Sequence, residues 1–327
     1  MKTMRELASI VVIGVAFYAA ICALMYATQR SQIYFPTPVS EHPGTDVLWV
    51  ETGGARIKVW AVRRPGSRAL IYFGGNAEDV RYSIDELSVA LPESSLYLVN
   101  YRGYGGSSGR PSEAALYEDA LAICDRVREE RADVDVMGRS LGSAVAVHLA
   151  SERLVRRLVL VTPFDSLAAV AQHHFRWLPV GLLMRDRYES SNLVQGIRAP
   201  TLMIVAAQDE IVDRKRSDAL AQAFRPGWVR VELIEGAMHN TLDRYPRYLE
   251  AVRKFLSSGA GVSDWSEWRS ASRRAPSLAR SGGVSLKQES LRTRTSEVRV
   301  SKSQRAPVAS NACVCARACV LSRSGKS

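Results

Sequence analysis

The chain has 327 residues, 46% of them apolar, which is enough to bury one large core and by length allows up to two domains. Its net charge of +11 is concentrated at one end: from Ser257 onward, 3 Lys and 10 Arg stand against 4 acidic residues, leaving about +2 for everything before. So nearly neutral a body lacks the basic footprint of a nucleic-acid-binding domain, and no nucleic acid is expected as its partner.

The first element is an uncharged run from Leu7 to Ala27, preceded by Lys2 and Arg5 and followed by Arg30. About 21 residues at 1.5 Å each span a hydrocarbon core. The run is longer than a usual signal-peptide core, no A-x-A site follows it, and no small residue precedes Cys22 as a lipoprotein site would require. Residues 1–30 therefore read as an uncleaved, single-pass anchor. The leading positive end puts the body on the non-cytoplasmic side, a signal that Glu6 and Arg30 weaken. Residues 31–45, with three prolines, read as a spacer.

Strand and helix patterns then alternate through residues 46–256. Strands are expected at Val47–Glu51, Ile57–Val62, Ala69–Phe73, Leu96–Asn100, Asp133–Met137, Leu158–Val161, Thr201–Ala206 and Val229–Ile234. Helices are expected at Ile84–Leu91, at Ser112–Arg131 (opened by Pro111-Ser112-Glu113), at Ser143–Ala150, and from about Asp243 to Leu256. Such alternation predicts an α/β fold: a mostly parallel sheet with helices on both faces.

The interval 163–200 breaks the rhythm and is rich in large apolar residues. It reads as a small lid whose Phe164, Phe175, Trp177 and Leu183 would wall a substrate site, or else as an ordinary helix packed on the sheet edge. Residues 257–327, with 17 Ser mixed among Arg and few large aliphatics, read as a disordered tail. Cys124 is the one cysteine of the body, so the body needs no disulfide. Cys313, Cys315 and Cys319 lie in the tail without a nearby His and make at most a weak metal motif. No metal or cofactor is called for.

The most informative stretch is Gly138-Arg139-Ser140-Leu141-Gly142, between an expected strand and an Ala-rich helix. A serine on such a turn projects Oγ above the sheet, and the glycines would permit a strained backbone. The N–H of Leu141 would sit at the positive end of a helix, facing a developing oxyanion. A serine hydroxyl needs a base, and the base an orienting acid. Of the five histidines, His239 follows the last strand in a glycine-containing loop and is the candidate base; His42 and His148 read as structural, and His173 and His174 fall in the lid interval. Asp209, in the loop after Thr201–Ala206, is the candidate acid, with Asp165 as rival and Glu210 and Asp213 as weaker neighbours. A second oxyanion donor is expected from Gly74-Gly75-Asn76-Ala77, at the N–H of Asn76 or a neighbour. The glycine-rich run Asn100–Gly109 has no G-K-[ST] ending, fails G-x-G-x-x-G at Ser108, and reads as a flexible loop beside the pocket.

Together, Tyr72–Ala77, Asn100–Gly105, Gly138–Gly142, Asp209 and His239-Asn240 resemble the α/β-hydrolase superfamily, and more narrowly the membrane-anchored YfhR-like group of small serine hydrolases. The resemblance covers roughly residues 30–256. It implies Ser140 as nucleophile, Asp209 as acid and His239 as base, with the N–H groups of Asn76 and Leu141 as the oxyanion hole. Gly74 stands where many relatives carry His. The expected activity is cleavage of an ester or thioester of an apolar, lipid-like acyl substrate; an amidase or peptidase, or a non-catalytic membrane-tethered binding protein on the same fold, are the alternatives.

Overall fold

The computed structural model describes residues 2–257. The Ser/Arg-rich tail and its three cysteines lie outside the described residues. In chain order the elements are α1 (Lys2–Ile33), β1 (Asp46–Thr52), β2 (Ala55–Val62), β3 (Arg68–Phe73), α2 (Ser83–Ala90), β4 (Ser95–Val99), α3 (Glu113–Arg128), β5 (Asp133–Arg139), α4 (Leu141–Glu152) and β6 (Leu158–Val161). There follow α5 (Leu167–His174), α6 (Val180–Leu183), α7 (Ser190–Leu193), β7 (Thr201–Ala206), α8 (Arg214–Ala223), β8 (Val229–Ile234) and α9 (Pro246–Ser257).

The eight strands form one sheet in the order β1-β2-β4-β3-β5-β6-β7-β8. The β1–β2 and β2–β4 pairs are antiparallel and every later pair is parallel. Strand periodicity sorts side chains to two cores. In β3, Ala69, Ile71 and Phe73 face the side covered by α3 and α4, whereas Leu70 and Tyr72 face the side covered by α2 and α9. The central strands are buried on both faces, which is why their sequences are unbroken apolar runs.

Capping explains where α3 begins: the Ser112 hydroxyl accepts the Ala115 N–H at 3.3 Å. The expected last helix is two elements, a 3-10 turn Leu242–Arg244 and then α9, because Pro246 lacks the N–H to continue a helix but suits a first turn. The interval 163–200 holds three short helices, α5 to α7.

α1 is long and apolar enough to cross a membrane by length and composition. Its residues 3–20 are exposed, while Ile21, Cys22, Met25, Thr28, Gln29 and Ile33 form a partly buried face at helical spacing. The segment after it, read as a spacer, packs on the body over residues 34–40. Tyr34 is 3% exposed, Ser40 is buried with its carbonyl accepting Lys58 Nζ at 2.7 Å, and the Thr37 carbonyl accepts the Gly105 N–H at 3.0 Å. Residues 34–40 are thus strapped along the body.

A carboxyl group is buried in β5 of the sheet. Asp135 is 1% exposed and paired with Arg156. Burial pushes its carboxyl up to about 6, against the opposing pull of Arg156. The folded state therefore holds this proton to higher pH than the unfolded chain, whose carboxyl titrates near ~4. Stability from this group is complete below that value and is lost as pH rises through 6. Replacing it by an amide removes the titration. The melting-temperature difference between Asp135→Asn and wild type should shift in the variant's favour from pH 4 to pH 7; a difference constant across that range would contradict the assignment.

Candidate active site

Strand β5 ends and α4 begins at Ser140, whose φ of 50° and ψ of −115° are strained for a non-glycine residue. The flanking glycines serve a different purpose from the one their sequence suggests. Neither has a positive φ; each is required by close approach. A Cβ on Gly138 would meet the Gly142 carbonyl and the Ala146 methyl, and one on Gly142 would meet the backbone of Phe73 and Gly74. The strain is carried by Ser140 itself, held by its N–H to the Val161 carbonyl at 2.8 Å and its carbonyl accepting the Ser143 hydroxyl at 2.6 Å.

Ser140 Oγ lies 3.0 Å from His239 Nε2, and His239 Nδ1 lies 2.8 and 3.0 Å from the two oxygens of Asp209. A carboxylate offers only lone pairs, so Nδ1 carries the proton and Nε2 accepts from the serine hydroxyl. Both side chains of the His–Asp pair are almost fully buried, at 5% and 3% exposure. Asp209 Oδ1 also accepts the N–H groups of Ile211 and Val212 at 3.0 and 2.7 Å, which fixes the carboxylate without competing cations. The three residues come from the ends of β5, β7 and β8, which are neighbours on the parallel side of the sheet apart from the intervening β6.

The rivals are occupied elsewhere. Asp165 accepts from Arg216 at 3.0 Å, Asp213 caps α8 through the Lys215 N–H, and Glu210 accepts the backbone N–H of His239 at 3.1 Å. His148 stacks on Tyr117 with ring centroids 3.9 Å apart.

The 74–77 turn lies directly beside the serine: a Cβ on Gly75 would be 3.8 Å from that of Ser140. Leu141 is the first residue of α4, so its N–H belongs to the set with no intrahelical acceptor. Asn76 is fixed through its side chain, which accepts from Tyr104 Oη at 3.0 Å and the Phe35 N–H at 3.2 Å and donates to the Ile33 carbonyl.

Three positioning groups escaped the sequence reading. Glu78 accepts from the Gly75 N–H and from Tyr72 Oη, each at 2.7 Å, and faces Arg139 at 4.0 Å. Arg139 in turn donates to the His239 carbonyl at 3.3 Å, tying the turn, the elbow and the histidine loop together. Tyr101 Oη donates to the Gly74 carbonyl at 2.7 Å. The run 100–109 is accordingly a strut and not a flexible loop: Arg102 is buried on Asp119 by two bonds of 2.7 and 2.8 Å, and Tyr101 and Tyr104 hold the 74–77 turn from behind. The Tyr-Arg-Gly-Tyr pattern was visible, but nothing local says where its hydroxyls end.

Of the four expected substrate-wall residues, Phe164 is 1% exposed within the core and Trp177 is 56% exposed; the carbonyls of Trp177 and Leu183 accept from Tyr18 and Gln29 of α1, and that of Phe175 from Gln172. Gly142→Ala should lower stability by about 1–3 kcal/mol through overpacking, seen as a reduced melting temperature; an unchanged melting temperature would refute the steric account.

A family model described as alpha/beta hydrolase family matches residues 48–308. Over 280 residues the chain is 35% identical to an uncharacterized protein of Mycobacterium tuberculosis, covering 80% of this chain and 98% of that one. Over 205 residues it is 30% identical to alpha/beta hydrolase domain-containing protein 17C of Xenopus tropicalis, covering 59% and 63%. Among solved structures, an esterase of Pyrococcus furiosus superposes with a TM-score of 0.58 at 17% identity over 68% of this chain and 98% of that chain, a likeness of fold.

Proposed function

The chain belongs to the alpha/beta hydrolase family, and from that premise we propose that it is a serine hydrolase cleaving an ester or thioester of an apolar acyl group. The observation that carries this reading is the hydrogen-bonded series Ser140–His239–Asp209, with Ser140 strained at the strand-to-helix turn. His239 Nε2 takes the proton as Ser140 Oγ attacks the acyl carbon, and Asp209 stabilises the imidazolium that forms. The tetrahedral oxyanion is met by the N–H groups of Leu141 and Asn76. Collapse expels the alcohol or thiol, which takes the proton from His239, and leaves an acyl-Ser140 ester. Water, deprotonated by the same imidazole, then releases the acid and restores the hydroxyl.

α1 is proposed to remain as a single-pass anchor with the body on the non-cytoplasmic side. Support comes from the way its exit is built into the fold: Arg30 pairs with Asp186 at 2.9 Å, and Tyr34 Oη meets Asp186 and Tyr188 at 3.1 and 2.8 Å. Removal after residue 27 would leave buried Tyr34, Asp186 and Tyr188 attached to a loose end.

Labelling by a fluorophosphonate probe is expected for the full chain in detergent or lipid and is expected to vanish in Ser140→Ala and His239→Ala. Turnover of an acyl ester should fall by about 10⁴-fold or more in either variant, and by roughly 10⁴-fold in Asp209→Asn. Undiminished turnover in Ser140→Ala would overturn the proposal.

A further inference from the structure

The segment between α5 and the start of α7 lies against α1 at an unexpected level. Tyr18 Oη donates to the Trp177 carbonyl at 2.8 Å, Gln29 Nε2 donates to the Leu183 carbonyl at 3.1 Å, and the Arg185 N–H donates to Gln29 Oε1 at 2.7 Å. The uncharged run of α1 extends from Leu7 to Gln29. At 1.5 Å per residue, Tyr18 lies about 18 Å from Arg30 along the axis, close to the middle of that run. A segment bonded there cannot stay clear of the bilayer if α1 crosses it. We propose that residues 175–185 form a wedge embedded in the bilayer leaflet nearer the body, continuous with the anchor, so that the Ser140 site opens onto lipid.

Two further observations carry this. The first is how the backbone of the segment is satisfied. On a wet surface, water would serve the carbonyls of such an irregular turn; in lipid, every one needs a protein donor. Gln172 Nε2 donates to both the Phe175 and Leu178 carbonyls at 3.1 and 3.0 Å, and its Oε1 accepts the Val180 N–H at 3.2 Å. The Phe175 and Leu178 carbonyls also accept the Leu178 and Val180 N–H groups, while Tyr18 on Trp177 and Gln29 on Leu183 close two further carbonyls from α1. The second is the outward surface: Trp177 is 56% exposed and Leu182 is 86% exposed, flanked by exposed Arg176 and Arg185. Large apolar tips beside arginines suit the boundary between acyl chains and phosphates, where Trp anchors and long basic side chains reach outward. Arg176, next to Trp177, extends its long side chain from the wedge toward the headgroups.

The site is tied to the exit of α1: Ile33 and Phe35, within five residues of Arg30, bond the side chain of Asn76, whose turn lies beside Ser140. The wedge rests on the reading of α1 as a membrane span, and not on hydrolysis.

The test uses the full chain in phosphatidylcholine–phosphatidylglycerol vesicles, with its native cysteines replaced by serine. An environment-sensitive fluorophore is attached at Leu182→Cys, Val12→Cys or Val89→Cys, one per protein. Leu182 and Val89 are both highly exposed in the fold, so neither substitution should disturb packing. The Leu182 probe should be quenched by a nitroxide placed high on the lipid acyl chain and shielded from aqueous iodide, with Val89 the reverse. Iodide quenching at Leu182 as complete as at Val89, with Val12 shielded, would overturn the wedge and leave the anchor standing. Iodide access at Val12 would overturn the span and the wedge with it. Fluorophosphonate labelling of the same proteins reads the Ser140 proposal separately: quenching as expected without labelling supports the wedge and counts against hydrolysis.

Discussion

The turn at Ser140 is the constraint around which the rest is arranged. A left-handed φ at a non-glycine residue persists only when its surroundings over-determine it. Here they do: β5 is pinned between β3 and β6, and α4 packs so closely beneath the strand ends that Gly138 and Gly142 admit no side chain. The consequence is an Oγ lifted off the sheet at the level of the loops that follow β7 and β8. Asp209 and His239 need only short loops to reach it, because parallel strands end on the same edge. One steric fact therefore sets both the strain and the meeting place.

What the sequence made legible follows from burial. β6 and β7, Leu158–Val161 and Thr201–Ala206, are buried on both faces and read as apolar blocks whose bounds match those expected. Helix α8 passed unnoticed because only Ser217 and Leu220 of its ten residues are buried, too few for a periodic apolar signal. The three residues of the candidate triad were accessible from motif and chain order, since each sits at a strand end. Glu78, Arg139 and Tyr101 were not, because their roles depend on distances across the sheet edge that no local pattern encodes. The 100–109 run shows the same limit in reverse. Its glycine content suggests mobility, yet the buried Arg102–Asp119 pair and the two tyrosine hydroxyls make it rigid.

The supporting polar groups form a continuous frame rather than separate contacts. Glu78 joins the Gly75 N–H to Tyr72 and faces Arg139, which reaches the His239 carbonyl; Tyr101 and Tyr104 fix the same turn from the opposite side. An oxyanion pocket is useful only if its donors do not have to reorganise as charge develops. Gly74 and Gly75 lack side chains of their own to hold the turn. The neighbouring Glu78 and the two tyrosines supply that rigidity, and a Cβ on Gly74 would clash with Val80.

The same turn is where the membrane reading and the chemical reading meet. Asn76 is bonded to Ile33 and Phe35, the last residue of α1 and the second residue beyond its end, while Tyr34 between them is locked onto Asp186 and Tyr188. Asp186 and Tyr188 close the segment that packs along α1. A rotation of α1 about its exit would thus be felt at both ends of the site, at the 74–77 turn and at the 175–185 segment. α1, the 175–185 segment and the 74–77 turn are consequently one mechanical unit. On the proposed reading of α1 as an anchor and of Ser140 as nucleophile, the approach of an acyl chain along α1 and the setting of the oxyanion turn are not independent variables, because both are fixed by the same three residues, Ile33 to Phe35.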